Sequence, residues 1–206
     1  PSIRFGGGMS ARIDDGRPSR DVLVMLPLNL GAAVELSLLV YSAVLNQPGH
    51  FDTVVRFRLH PKMSRRRLQL ACGIDFDANV FDWSEGGIQD DLDQAGAAII
   101  MNSASALDVV LSGVVPCIVS RTLDLPWNYL DMLPDEMSIP KSIPGYLLGS
   151  WLTDWDSDEV FRHRLRLETA RVGKRLSHQL GPHGDAARFT AFLREEDHHE
   201  GWEPQQ

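Results

Sequence analysis

The feature that most constrains the fold of this chain is a regular alternation of short apolar runs with segments of helical periodicity. The first run, DVLVMLPL, is nearly continuous, as expected for a strand buried on both faces of a sheet. It is followed by Val34, Leu38, Tyr41 and Leu45, whose spacing of three or four residues forms one helix face. The same criteria predict strands at 21–28, 53–59, 79–83, 97–101 and 114–120. We therefore predict an α/β fold, a Rossmann-like doubly wound parallel sheet of five to six strands with helices on both faces.

The rest of the chain suggests its domain organisation. Helices are predicted between the strands, at 31–45, 63–71, 86–94 and 104–112. Segment 121–150 contains four prolines and is predicted to be irregular, with one further short strand near 137–139, before a long charged helix at 158–180 and a last helix at 186–194. We expect residues 1–20 to be a linker or the end of a missing amino-terminal domain, 21–194 to be one Rossmann-like domain, and 195–206 to be a disordered tail.

Composition narrows the class of protein. A net charge of −8 argues against broad nucleic-acid binding, which needs a basic face. The sequence has no run of eighteen apolar residues, so no transmembrane helix is expected. Cys72 and Cys117 are too few for a disulfide framework, which favours a reducing, cytoplasmic location. The pair His198-His199 lies in a polar tail, and we expect no metal site there.

The residues that follow the first two strands are candidates for ligand binding, because open parallel sheets bind ligands beyond the carboxyl ends of their strands. Asn29 can cap the first helix and leave amides free for an anion, although a plain helix cap is the alternative. Arg58 and His60 project to the same side of the second strand, which Pro61 ends. An imidazole at a strand end can donate to a phosphate; packing against its neighbours is the alternative.

The segment NSASALD, residues 102–108, follows the fourth strand. The small residues Asn102, Ser103, Ala104 and Ser105 leave room for a ligand to approach the backbone amides at a helix start. Asp108 can then accept hydrogen bonds from both hydroxyls of a ribose. The alternative is a capping box, with Ser105 as the cap and Asp108 in place of the usual glutamate.

The pair His60-Pro61, followed by N-S-A-S-A-L-D-x-x-x-x-G-x-x-P, resembles the carboxyl-terminal domain of GT-B glycosyltransferases. The likeness is strongest to bacterial sialyltransferases, Kdo transferases and related surface-polysaccharide enzymes. It implies that His60, as the catalytic residue, and Ser103 or Ser105 bind the phosphate of a CMP-activated sugar, and that Asp108 holds the ribose. It also implies a nucleotide-sugar substrate with no further cofactor. In this chain the usual paired hydroxyl residues are separated, as Ser103-Ala104-Ser105.

The same resemblance implies the partners of the chain. A GT-B enzyme carries its acceptor site on an amino-terminal domain, so we expect this chain to be the donor-binding half and to be inactive alone. The expected partners are a nucleotide-sugar donor and the acceptor domain of the parent protein, without nucleic acid; peripheral membrane association of the parent stays open. Two alternatives also stay open: a polyol-phosphate transferase that uses CDP-linked donors, and a non-catalytic Rossmann-like interaction module.

Overall fold

Strands and helices alternate through most of the chain, in a computed structural model that describes residues 19–47, 51–76, 81–101, 105–120 and 142–180. The strands are β1 (Val22–Met25), β2 (Val55–Arg58), β3 (Phe81–Trp83), β4 (Ala97–Ile100), β5 (Val115–Ser120) and β6 (Ile143–Pro144). The helices are α1 (Leu30–Leu45), α2 (Arg65–Cys72), α3 (Ile88–Gln94), α4 (Ser105–Leu111), α5 (Leu148–Ser157) and α6 (Glu159–Leu180).

The strands form one parallel sheet in the order β3-β2-β1-β4-β5-β6. β1 and β4 lie in the middle, and every residue in both is buried, which explains their continuous apolar runs. The chain winds from β1 to β2 and β3 on one side and then returns to β4 on the other. This reversal is a topological switch point, the place where open sheets bind ligands. The predicted Rossmann-like fold class is confirmed.

Two apolar layers cover the two faces of the sheet. Alternate residues of β1 enter opposite layers, Val24 with α1, α2 and α5, and Leu23 with α3, α4 and α6. The first layer contains the large buried side chains of Phe57 and Trp155, and the second contains that of Leu107. Each such side chain contributes about 1.5–3 kcal/mol on burial, so the layers fix the strand ends that carry the candidate site.

One predicted region differs from the structure. Residues 142–150 fall in the segment predicted to be irregular, yet they contain β6, a 3₁₀ turn at Gly145–Leu147 and the start of α5. Leu148, Trp151, Leu152 and Trp155 are spaced as one helix face and are all buried in the first layer, so packing overrides the nearby prolines. The predicted strand near 137–139, helix at 186–194 and tail lie outside the described residues, as do residues 1–18.

The long helix predicted at 158–180 corresponds to α6, and a turn at Asp158 separates it from α5. Asp158 has an extended backbone and ends α5. Its carboxylate accepts hydrogen bonds from the amides of Val160 and Phe161, at 2.8 and 3.1 Å, which caps α6. The buried Arg162 donates to the last carbonyls of α5, those of Trp155 and Asp156. A capping carboxylate and a buried guanidinium therefore hold the two helices at this turn.

Candidate functional site

The three strands after which the sequence analysis places the candidate residues lie side by side in the sheet, with their carboxyl ends at the same end. β2, β1 and β4 are adjacent, and Met25 of β1 lies opposite both Arg58 and Ile100 in the strand register. The amide of Leu26 donates to the carbonyl of Arg58 at 3.0 Å, which continues this register past the strand ends. Neighbouring strands are about 4.8 Å apart, so the ends of β2 and β4 are separated by roughly 10 Å.

Asn29 caps α1, as the sequence predicts. Its side-chain oxygen accepts a hydrogen bond from the amide of Ala32 at 3.0 Å, and its carbonyl accepts one from Ala33 at 2.9 Å. The amides of Leu30 and Gly31 precede the first helical hydrogen bond and have no acceptor within the helix. The start of α1 therefore presents two backbone donors beside the switch point, and Asn29 itself is exposed.

His60 lies two residues beyond the end of β2 and is half-buried. Its Nδ1 atom accepts a hydrogen bond from the amide of Lys62 at 3.2 Å, and its carbonyl accepts one from Met63 at 2.8 Å. Pro61, which is exposed, sits in this turn. Because Nδ1 is an acceptor, the neutral imidazole carries its proton on Nε2. The turn therefore orients His60 with an Nε2–H group available as a donor.

Arg58 has its partners inside the protein. Its Nη1 atom donates to the carboxylate of Asp91, to the Ser84 hydroxyl at 3.2 Å and to the Gly86 carbonyl at 2.9 Å. The Ser84 hydroxyl also donates to Asp91, whose side chain is only 6% exposed. This network ties the end of β2 to the loop before α3 and to α3 itself. Arg58 is thus held beside His60 by structural contacts.

Ser105 and Asp108 lie one turn apart on the same side of α4, and both are half-buried. Burial raises the pKa of the Asp108 carboxyl, because the charged form loses hydration. No side chain or amide among the described residues bonds to this carboxylate. α4 begins at Ser105, which makes Asp108 its fourth residue, whereas a capping box has its acidic residue at the third. Asn102, Ser103 and Ala104 lie outside the described residues.

A group of cations beside His60 was not predicted to have a role. Lys62, Arg66 and Arg67 are exposed, and within the described ranges none of them has an acidic partner. Arg66 and Arg67 occupy the first turn of α2, which contains no acidic residue. Positive charge there opposes the helix dipole by about 0.3–1 kcal/mol for each residue. The run of arginines can be read from the sequence, but its position beside the end of β2, which is what suggests a role in anion binding, is known only from the structure.

Two further properties bear on the class of site. The described part of the chain contains no group of three or more His, Cys, Asp or Glu side chains that could hold a metal ion. Among the same residues, no helix combines the length and apolar character needed to cross a membrane.

Comparison with known proteins gives matches in structure only. No protein-family model matches this chain, and no curated protein matches it in sequence. The Thermobaculum terrenum O-GlcNAc transferase is 15% identical with a TM-score of 0.57, over 90% of this chain and 37% of that one. The glycosyltransferase of kitacinnamycin is 12% identical with a TM-score of 0.50, over 95% and 46%. The catalytic domain of Helicobacter pylori cholesterol-α-glucosyltransferase is 14% identical with a TM-score of 0.48, over 75% and 98%.

The first two of these likenesses, at such low identity, concern the fold alone. The chain spans less than half the length of either of those two chains. The strand order β3-β2-β1-β4-β5-β6 and the helices on both faces agree with this similarity. The chain therefore shares a Rossmann-like α/β fold with these two solved structures.

Proposed function

We propose that this chain is the donor-binding domain of a glycosyltransferase of bacterial surface-glycan synthesis, and that its donor is a CMP-activated sugar. The ligand would lie across the carboxyl ends of β2, β1 and β4. His60 and the loop of Asn102, Ser103, Ala104 and Ser105 would bind the phosphate, and Asp108 would bind the ribose. The fold similarity to glycosyltransferases supports the proposed activity. The choice of a CMP-activated sugar as donor comes from the motif resemblance of His60-Pro61 and residues 102–108.

The observation that carries the proposal is the state of Asp108. Its carboxylate is partly desolvated and has no hydrogen-bond partner among the described residues, so it makes the folded protein less stable at neutral pH. Two adjacent hydroxyls of a ribose would supply the missing donors. Polar groups of this kind are typical of functional sites, because a group that lowers the stability of the free protein can gain its hydrogen-bond partners when the ligand binds.

His60 provides the complementary group. With Nδ1 occupied by the Lys62 amide, Nε2–H can donate to a phosphate oxygen of the leaving nucleotide. Negative charge grows on that oxygen as the bond to the sugar breaks, so a donor fixed there stabilises the transition state. The strand ends that lead to His60 and to α4 are roughly 10 Å apart, a spacing comparable with the length of a phosphate–ribose unit. The free amides at the start of α1, capped by Asn29, would lie between them.

In this proposal the remaining residues and partners have secondary roles. Arg58 positions the end of β2 through Asp91 and adds positive charge near the phosphate. The acceptor site would be on an amino-terminal domain of the parent protein, in keeping with the share of the glycosyltransferase chains that this chain spans. The two free cysteines, Cys72 and Cys117, suit a cytoplasmic reaction.

Isothermal titration of the chain with CMP tests the proposal. We expect binding to the wild type and about tenfold weaker binding to His60→Ala and to Asp108→Asn, since each removes a hydrogen bond to a charged group. Asp93→Asn is the matched control, because Asp93 is an exposed carboxylate on α3 away from the switch point. Absence of binding to CMP, or equal affinity in all variants, would contradict the proposal, and binding of UMP or GMP without CMP would contradict the choice of donor.

A second candidate function is favoured by the cations beside His60. Lys62, Arg66 and Arg67 are suited to a second phosphate, as in the CDP-linked donor of a polyol-phosphate transferase. Titration with CDP as well as CMP separates the two functions. Tighter binding of CDP that is lost in Arg66→Gln/Arg67→Gln supports the polyol-phosphate transferase. Equal binding of CMP and CDP, with no effect of these substitutions, supports the CMP-sugar.

A further inference from the structure

A polar groove lies on the outer surface between α1 and α5, and its volume is about 410 Å³. This volume is within the usual range of small-molecule sites, about 300–1,000 Å³. Its polar and aromatic lining residues are Ser42, Asn46, Gln47, Tyr146, Ser150 and Thr153. α1 contacts α2 on one side and α5 on the other, so the groove is separated by α1 from the loop of His60. It is a second site, distinct from the proposed nucleotide site.

The floor of the groove is held rigid by hydrogen bonds between the two helices. Gln47 Nε2 donates to the Ala43 carbonyl at 2.7 Å and to the Gly149 carbonyl at 3.2 Å. The Thr153 hydroxyl donates to Gln47 Oε1 at 2.7 Å. The hydrogen bonds of Gln47 with Gly149 and Thr153 connect positions more than one hundred residues apart in sequence, and they fix the distance between α1 and α5. A ligand would therefore meet a groove that is already formed, which lowers the entropy cost of binding.

The chemistry of the lining identifies the class of ligand. None of the lining residues that the structure describes is charged, which favours a neutral ligand over phosphates, nucleotides and metal ions. The Ser42 and Ser150 hydroxyls can donate and accept, as sugar hydroxyls do. The amide nitrogen of Asn46 already donates to the carbonyl and hydroxyl of Ser42, at 2.8 and 3.1 Å, so Asn46 would meet a sugar through its side-chain oxygen, as an acceptor. Tyr146 is 81% exposed at the groove and offers an aromatic face to the C–H side of a sugar ring. Hydroxyl-matching groups beside an exposed aromatic ring suit a neutral carbohydrate.

Gly149 gives independent support. It lies in the first turn of α5, where glycine is less favourable than alanine by up to about 1 kcal/mol. A Cβ atom at this position would have no described atom within 4 Å, so helix packing does not require glycine. The missing side chain does, however, leave the groove open, because Gly149 lines it. Glycine at position 149 therefore keeps the groove open, although alanine there would make the helix α5 more stable.

We infer that the groove between α1 and α5 binds a neutral oligosaccharide. Such a site would hold a glycan chain away from the carboxyl ends of β2, β1 and β4, where the nucleotide is proposed to bind. The inference does not depend on the proposed function, because His60 and Asp108 are not among the lining residues.

The test is an NMR titration of the isotope-labelled chain with maltotriose, cellotriose and triacetylchitotriose. We expect millimolar binding of at least one of them, with shifts of the Asn46, Gly149 and Ser150 amides. Gly149→Leu, which fills the groove and favours the helix, and Tyr146→Ala should each weaken binding by about tenfold or more. Leu70→Ala, at an apolar residue 75% exposed on α2, is the control and should bind like the wild type.

Three results would overturn the inference. The first is no shift with any of the neutral trisaccharides. The second is a shift that Gly149→Leu leaves unchanged, since the ligand would then bind elsewhere. The third is equal or tighter binding of trigalacturonic acid or of a neutral tripeptide, because the groove would then not select neutral sugars. CMP titration of the same samples reports on the nucleotide site separately, so the two proposals fail independently.

Discussion

The buried ion pair between Arg58 and Asp91 should make a large contribution to stability. The Asp91 side chain is 6% exposed and accepts hydrogen bonds from Arg58 and Ser84. Removing one partner of a buried pair costs about 3–5 kcal/mol, because the other charge is left without a partner. Arg58 is 19% exposed and keeps the Gly86 carbonyl, so water and that carbonyl offset part of the loss. We expect Asp91→Ala to lower the free energy of unfolding by about 3 kcal/mol.

Strand β2 also offers a matched control for this substitution. Arg56 pairs with Asp82 at 3.3 Å, but the Asp82 side chain is 58% exposed, and exposed pairs contribute about 0–1 kcal/mol. Urea denaturation followed by circular dichroism compares Asp91→Ala with Asp82→Ala, and double-mutant cycles with Arg58→Ala and Arg56→Ala isolate each pair. If Asp91→Ala costs no more than Asp82→Ala, Arg58 is not held by Asp91, and its assignment as a positioning residue is wrong.

Three further predictions concern Asp108, the two cysteines and Gly96. Burial raises the pKa of Asp108, so the protonated carboxyl contributes to the free energy of unfolding in acid, and this contribution is lost as pH rises through the folded-state pKa. In urea denaturation, Asp108→Asn should therefore match the wild type in acid and be more stable than the wild type at neutral pH. Burial raises the pKa of both cysteine thiols, but Cys117 is fully buried and Cys72 only half-buried, so a thiol reagent should label Cys72 in the native protein and Cys117 only after unfolding. Gly96→Ala would place Cβ 1.9 Å from a backbone oxygen and should lower the melting temperature, whereas Gly149→Ala should not.

Much of the fold could be predicted from local patterns. The apolar runs of β1 and β4 predict strands buried on both faces, and Asn29 before a helical pattern predicts the cap that the structure contains. The order of strands could not be predicted in this way. The position of β1 between β2 and β4 is a property of the whole sheet. It places the turn of His60 and the helix of Asp108 after the carboxyl ends of strands that are separated only by β1.

Other features of the site depend on contacts between distant residues. Strand alternation places Arg58 on the side of His60, but only the packing of α3 shows that Asp91 is its partner. The helix α5 was missed because prolines and glycines nearby suggest irregular structure, whereas its buried tryptophans stabilise a helix against the sheet. The desolvation of Asp108 likewise depends on the burial of α4 and has no signal in the sequence alone.

The central claim is that Asp108 binds the ribose of a nucleotide whose phosphate lies near His60. A cycle of two ligands and two proteins isolates this contact: CMP and its 2′,3′-dideoxy analogue, each titrated into the wild type and into Asp108→Asn. We expect the wild type to prefer CMP by about 10- to 100-fold, since a hydrogen bond to a charged group contributes about 1.5–3 kcal/mol. Asp108→Asn should lose most of this preference. An equal preference in both proteins would contradict the claim, because the ribose hydroxyls would then bind elsewhere.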